Sequence, residues 1–134
     1  MAKKDTYVEG IGRRKTATAR VRLTPARETT IVVNDKKVED YFAHQSLIKS
    51  IMSVLETPDA GIEHYAISAH VNGGGTTAQA EAIRLGIARA LVKEKAERRS
   101  PLKLLGFLKR DPRSVERKKF GLRKARKRPA WSKR

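Results

Sequence analysis

A single small domain mixing strands with helices, extended at its C-terminal end by a polycationic arm, is the fold this sequence predicts. Three observations carry that expectation. Several short segments alternate apolar and polar residues with period two, as half-buried strands do. Two other segments repeat apolar side chains every three or four residues, the stripe of a core-facing helix. The third observation is where the charge lies. Across 134 residues there are 31 Lys+Arg against 14 Asp+Glu, a net +17. Residues 1–92 hold 13 basic and 10 acidic side chains, whereas residues 93–134 hold 18 and 4. A nearly neutral body joined to a polycation is the charge plan of a globular anchor with a nucleic-acid-binding arm. On this reading residues 1–100 form the globular domain and residues 101–134 the extension.

The elements follow in order. Thr6 to Ile11 reads as a short strand ending at Gly10-Ile11-Gly12. Beyond Arg13-Arg14-Lys15, Ala17, Ala19, Val21 and Leu23 share one face, with Thr16, Thr18, Arg20 and Arg22 on the other, and Pro25 ends the strand. Thr30 to Val33 is β-branched, and Asn34-Asp35 supplies turn chemistry for a hairpin or sharp turn. Val38 to Phe42 and Ser46 to Leu55 read as helices, the second with Leu47, Ile48, Ile51, Met52 and Leu55 as its stripe. Thr57 to Gly61 is a loop. Tyr65, Ile67, Ala69 and Val71 then alternate with polar neighbours in a further strand that runs into Gly73-Gly74-Gly75. Thr77 to about Lys93 is the strongest helical pattern, burying Ala80, Ile83, Ile87, Ala90 and Leu91, with Thr76 or Thr77 as N-cap and Arg84 and Arg89 off the stripe. Ser100-Pro101 is expected to break that helix, Leu102 to Leu108 is a short apolar patch, and Asp111-Pro112-Arg113 a turn. From Arg117 onward 10 of 18 residues are basic and large apolar side chains are scarce. Such a segment builds no core and should stay extended or disordered until a polyanion neutralises it.

The sequence offers no positive sign of catalysis or of a cofactor. There is no cysteine, which excludes disulfides and thiolate metal sites. His44, His64 and His70 lack the spacing and companions of a metal set. Gly10 to Thr16 resembles a phosphate-binding P-loop only superficially, since Arg14 stands where a glycine is required. Arg13, Arg14 and Lys15 at a strand edge suit contact with a phosphate backbone better. The triple glycine Gly73, Gly74 and Gly75 stands between a strand and a helix. It is either a tight connection or a place where backbone N–H groups meet RNA phosphate. No run approaches the roughly 18 apolar residues of a membrane span, and the N-terminal residues lack the apolar stretch of a secretory signal. In the tail, Phe120, Leu122, Ala125 and Trp131 form no continuous apolar face, and Gly121 and Pro129 interrupt any helix. That disfavours a membrane-binding helix. Positive charge on a flexible strand with occasional rings fits RNA.

Four motifs, in order and spacing, point further. They are Gly10-Ile-Gly-Arg-Arg-Lys-Thr-Ala-Thr-Ala-Arg-Val21; Gly73-Gly-Gly followed by Gln79, Ala82, Arg84 and Gly86-Ile-Ala-Arg-Ala-Leu91; Asp111-Pro-Arg113; and Glu116 through Pro129 with the terminal Ser132-Lys133-Arg134. Together they resemble the small-subunit ribosomal protein nine family in its bacterial form, over essentially the whole chain. The resemblance implies an α+β domain with a mainly antiparallel four-stranded sheet carrying helices on one face, like domain two of ribosomal protein five. It implies a tail threaded through the head of the subunit, whose last residues touch the anticodon stem-loop backbone of the P-site tRNA. On this chain that role falls to Arg134, Lys133 and Ser132. The expected ribosomal RNA contacts are Arg13, Arg14, Lys15, Arg20, Gly73, Gly74, Gly75, Arg84, Arg113, Arg117, Lys118, Lys119, Arg123, Lys124, Arg126, Lys127, Arg128 and Trp131. Trp131 stands where the family usually has phenylalanine or tyrosine and keeps a ring for stacking.

The expected function is therefore a non-catalytic constituent of the small subunit, with no metal and no cofactor. Its expected partners are small-subunit ribosomal RNA, P-site tRNA and neighbouring head proteins, in a cytoplasmic or organellar ribosome, without a membrane. An RNA-binding subunit of an RNA-processing enzyme such as ribonuclease P is the alternative, and a DNA-compacting basic protein the third reading.

Overall fold

The structure, a computed structural model, describes residues 6–133. A five-stranded sheet is built from β1 (Val8–Arg14), β2 (Ala17–Pro25), β3 (Thr30–Val33), β4 (Lys36–Lys37) and β5 (Tyr65–Asn72), in the order β1-β2-β5-β3-β4. The helices are α1 (Val38–Tyr41), α2 (Gln45–Leu55), α3 (Thr76–Glu94) and α4 (Arg99–Leu104), with a 3₁₀ turn at Ala96–Arg98. The α+β class is as expected, but the sheet is mixed and has a fifth strand. β1, β2 and β5 pair antiparallel, whereas β3 lies parallel to β5. The parallel pairing follows from the connection. α1 and α2 stand between β3 and β5, and a helical crossover returns the chain in the same direction. The added strand, β4, is two residues long, too short to leave a period in the sequence. It forms because Asn34 and Asp35 both take positive φ (47° and 64°), the geometry of a two-residue hairpin turn.

One face of the sheet is covered. Ala17, Ala19, Val21, Leu23, Tyr65, Ile67, Ala69 and Val71 point into the core, as their alternation predicts, and Ile31 and Val33 of β3 join them. α3 lies across β1 and β2 and against α2. It is buried on more than the expected stripe, since Ala82, Leu85, Gly86 and Ala88 are buried besides Ala80, Ile83, Ile87, Ala90 and Leu91. A helix covered on two sides needs small residues where backbones meet.

The glycines of β1 are the other half of that contact. A Cβ at Gly12 would lie 1.7 Å from the Ala82 carbonyl oxygen, and one at Gly10 2.3 Å from that of Gly86. Gly86 in turn leaves room for Val21, whose Cγ2 would be 2.7 Å from an added Cβ. The Gly10-Ile11-Gly12 segment therefore does not end the strand. It lies inside β1, which runs on to Arg14, because glycine there lets helix and strand backbones touch.

Two boundaries also differ from expectation. The N-cap of α3 is Gly75 rather than a threonine, and no side chain caps the helix. α3 ends at Glu94, close to the expected Lys93, so Ser100-Pro101 is not what breaks it. Pro101 sits in the first turn of α4, where its missing N–H breaks no helical hydrogen bond. Leu102 is fully buried in the core and Phe107 and Leu108 pack against it, so chain packing continues to Leu108. Residues 109–133 contain no helix or strand.

A buried polar triad closes the end of α3. Arg98, 1% exposed, donates to Glu94 (2.9 Å) and to the Gly61 carbonyl (3.2 Å), and the Tyr65 hydroxyl donates to the same Glu94 oxygen at 2.5 Å. Burial alone would raise the Glu94 carboxyl, but the hydrogen bonds from Tyr65 and Arg98, with the Arg98 charge, hold it below its ordinary value. Burial and the bond to Glu94 push the Tyr65 phenol up.

Candidate RNA interface

The uncovered face of the sheet is polar and basic. Antiparallel register sets Arg13 beside Thr18, Arg20 between Ile11 and His70, and Thr18 beside Asn72. All of these side chains are exposed. Arg22 shares the face but is engaged, donating to Glu9 at 3.1 Å and lying over the Tyr7 ring at 4.5 Å from its centroid. Arg13, Arg20, His70 and Asn72 thus present donors on a flat surface above a rigid core. Phosphates of a folded RNA can lie across such a surface without any base being read.

At one end of this face the β1–β2 turn and the glycine loop adjoin. Lys15 takes φ 52° in the turn, which carries its side chain into solvent beside Arg13. Gly73 and Gly74 have φ 76° and 64°, and a Cβ at Gly73 would come within 2.7 Å of the Thr16 carbonyl oxygen. Glycine is therefore required at Gly73 both for backbone conformation and for space. A Cβ at Gly75, by contrast, would meet nothing within 4 Å. Gln79 fixes the loop from inside, its Nε2 donating to the Gly73 carbonyl at 2.9 Å while its Oε1 accepts from the Tyr41 hydroxyl at 2.7 Å. Asn34 extends the network to β5, accepting from Val71 N–H at 2.9 Å and donating to the Val71 carbonyl at 3.0 Å. The uncapped first turn of α3 opens beside this loop, with Thr76 and Thr77 exposed. Unpaired N–H groups there favour an anion.

The root of the tail meets the same end of the domain. Arg14 points to the helix side, donating from Nε to Glu81 (2.6 Å) and from its terminal nitrogen to the Arg113 carbonyl, with Asp111 at 3.5 Å. Arg113 forks onto Asp111 through Nε and Nη2 (3.0 and 2.8 Å), while its backbone N–H also donates to that carboxylate. Those bonds hold the Asp111 carboxyl far below the usual carboxylate range. Arg13, Arg84, Lys109 and Arg110 line a shallow cavity of about 50 Å³ next to this cluster.

The expected contacts therefore divide. Arg13, Lys15, Arg20 and the loop Gly73–Gly75 are gathered on one exposed surface. Arg14 is an intramolecular tie, and Arg84 donates to the Ser50 hydroxyl (3.2 Å) and lies 5.8 Å from the Phe107 ring centroid. In the tail, Glu116 pairs with both Lys119 and Arg126 (2.8 Å to the latter), and Arg123 N–H donates to the Lys127 carbonyl at 2.7 Å, so residues 116–127 fold back on themselves. Arg117 donates to the Lys118 carbonyl, and Lys118, Arg123, Lys124, Arg128, Ser132 and Lys133 are exposed. Phe120 is 100% exposed and Trp131 85%. Arg134 lies outside the described residues.

His70, Asn72, Gln79 and Asn34 had no place among the expected site residues. The alternation of Tyr65–Asn72 carried the signal for the first two, because it sets them on the same uncovered face as Arg20. His44 precedes α2, His64 directly precedes β5 and His70 lies within β5; His64 Nδ1 lies 3.1 Å from the Thr29 hydroxyl. Among the described residues no three His, Asp or Glu side chains cluster to hold a metal, and no helix is long and apolar enough to cross a membrane.

Known proteins resemble this chain over most of its length. The profile of the family described as ribosomal protein S9/S16 matches residues 12–134. The small ribosomal subunit protein uS9 of Synechococcus sp. (strain JA-2-3B'a(2-13)) is 52% identical over 127 residues, covering 93% of this chain and 91% of that protein. The proteins of the same name from Mycobacterium bovis (strain BCG / Pasteur 1173P2) and Mycobacterium tuberculosis (strain ATCC 25177 / H37Ra) are 48% identical over 130 residues, covering 95% of this chain and 83% of theirs.

Proposed function

The chain belongs to the ribosomal protein S9/S16 family, a structural and non-enzymatic constituent of the small ribosomal subunit, and from that premise we propose how its parts meet RNA. The domain seats on ribosomal RNA through Arg13, Lys15, Arg20 and the Gly73–Gly75 loop. The arm, which starts beyond Leu108, follows RNA away from the domain, and its tip reaches the backbone of the P-site tRNA anticodon stem-loop. Reading the chain as part of an RNA-processing enzyme finds no support in the relatives' names.

The observation that carries this reading is the placing of the arm's root. Asp111 and Arg113 tie it to Arg14, beside the exposed basic turn and the glycine loop. One RNA surface can then engage the domain and receive the arm. From Phe120 to Arg134 the chain spans up to about 50 Å if drawn out at roughly 3.3–3.6 Å per residue, long enough to carry a guanidinium deep into the subunit. Phe120 and Trp131, bare in the free chain, supply rings that stack on unpaired bases, and the cations neutralise phosphates. Arg134 suits the tip because its planar fork binds phosphate oxygens bidentately. Contacts to phosphate carry no sequence information, as is required of a surface that accepts every tRNA.

Deletion of Ser132 to Arg134 tests the reading in purified subunits carrying the variant. The domain should melt as the full chain does, while P-site tRNA dissociates faster or start-codon fidelity falls. Unchanged tRNA affinity and fidelity would overturn the role of the tip. The cytoplasmic ribosome is the compartment this reading favours.

A further inference from the structure

We propose that the groove between β3 and α2 seats an extended, basic segment of a neighbouring protein of the small subunit, apolar side chains inward. The proposal rests on the chain's place in that particle and goes beyond its RNA contacts. The groove has a volume of about 690 Å³ and is walled by Ile31, Val32, Val38, Ile48 and Met52. Two of these belong to the apolar stripe of α2, whose centre at Ile51 and Val54 is buried while Ile48 and Met52 are left half-covered. The core therefore does not use up the apolar surface this half of the domain presents.

The backbone beside the groove is also open. β4 pairs only with Val32 and Val33, so among the described residues no strand covers Thr30 and Ile31 on that side. An extended segment can add there as a further strand, its alternate side chains entering the groove.

Charge decides what kind of segment. Residues 28–63, which make up β3, β4, α1, α2 and their flanking loops, hold seven acidic and three basic side chains within a chain of net +17. All seven acids (Glu28, Asp35, Glu39, Asp40, Glu56, Asp59 and Glu63) are exposed. Glu39 and Lys37 both line the groove, and over residues 28–40, which form its β3–α1 wall, the acids Glu28, Asp35, Glu39 and Asp40 outnumber the bases Lys36 and Lys37. Among the described residues, only Glu63 of these seven has a cationic ion-pair partner, Lys95 at 3.7 Å. A phosphate backbone brought to this rim meets like charge, whereas Lys and Arg of a partner meet opposite charge. The chain's own arm is rooted on Arg14 of β1, at the opposite edge of the sheet from β4, and on the reading above it is engaged by RNA, which leaves the groove to a partner.

The absence of cysteine makes a clean test possible. A single Met52→Cys is introduced into the full chain and its alkylation rate is compared in the free protein and in assembled subunits. A photo-reactive phenylalanine analogue in place of Lys37 identifies what lies alongside. Burial in a packed interface should slow alkylation by roughly tenfold or more on assembly. The cross-link should run to a Lys- or Arg-rich peptide of another subunit protein, and Glu39→Lys with Asp40→Lys should weaken that cross-link without lowering the chain's affinity for ribosomal RNA. A thiol equally reactive in both states, a cross-link to RNA, or one to a second copy of this chain would each overturn the proposal. None of these outcomes bears on the tail-tip deletion, so the two readings stand or fall separately.

Discussion

Arg14 Nε and Glu81 Oε2 lie 2.6 Å apart, joining the last residue of β1 to the first turns of α3. The same guanidinium reaches the Arg113 carbonyl and Asp111, so one side chain fastens strand, helix and tail root together. An arginine that reads from sequence as an RNA contact is spent inside the protein, and the neighbouring Arg13 and Lys15 are left for RNA. Replacing Arg14 by alanine is expected to lower domain stability by only about 1 kcal/mol, because the Glu81 side is partly exposed. The sharper outcome is at the root. Amides of Arg110 to Val115 should exchange with solvent faster than in the parent while those of β5 keep their protection. Equal exchange in the two proteins would show that the tie does not hold the arm.

Gly12→Ala should be far more damaging than its single methyl suggests. The added Cβ has 1.7 Å to the Ala82 carbonyl oxygen and 2.6 Å to the Gly86 nitrogen, both backbone atoms that cannot swing away. β1 and α3 must separate, at a cost of about 3 kcal/mol or more, the upper part of the range for overpacking. Gly75→Ala, with open space around it, serves as the control and should leave the urea midpoint close to that of the parent.

The triad at the end of α3 makes stability depend on pH at both ends of the scale. Glu94 titrates below its ordinary 4.5 in the folded chain, so its contribution is complete above that value and is lost as pH falls through the folded one. Tyr65 titrates above its ordinary 10.0, so its contribution is complete below pH 10.0 and is lost as pH rises further. Urea midpoints followed down to about pH 3 should fall less steeply for Glu94→Gln than for the parent. Tyr65→Phe should cost about 1 to 2 kcal/mol at neutral pH and remove the alkaline step. Parallel pH profiles for parent and variants would rule out the triad as their source.

Arg20 and His70 stand side by side on the uncovered face. Arg20→Ala should weaken binding of the chain to small-subunit ribosomal RNA about equally for different RNA sequences. It should also lower the slope of log affinity against log salt by roughly 0.7 to 0.9, one phosphate contact's worth. An unchanged slope, measured by filter binding over a salt series, would take Arg20 out of the interface.

What the sequence determined by itself is what local patterns encode. Alternation in Ala17 to Leu23 and Tyr65 to Val71 assigned both faces of the central strands, because side-chain parity is a property of the strand alone. The stripe from Ala80 to Leu91 marked the helix that covers them, and the split between a +3 body and a +14 end marked the arm. Tertiary structure decided what depends on partners distant in the chain. Gly10 and Gly12 look like a loop until α3 lies against them, and Arg14 looks like a phosphate ligand until Glu81 and Asp111 arrive from 67 and 97 positions away. The parallel run of β3, the two-residue β4 and the unfilled groove behind them likewise follow from how elements pack, which no period in the sequence records. The basic arm was legible in the sequence because charge is counted residue by residue. Which of its cations are free for RNA was not, because an ion pair is a relation between residues that only the fold brings together.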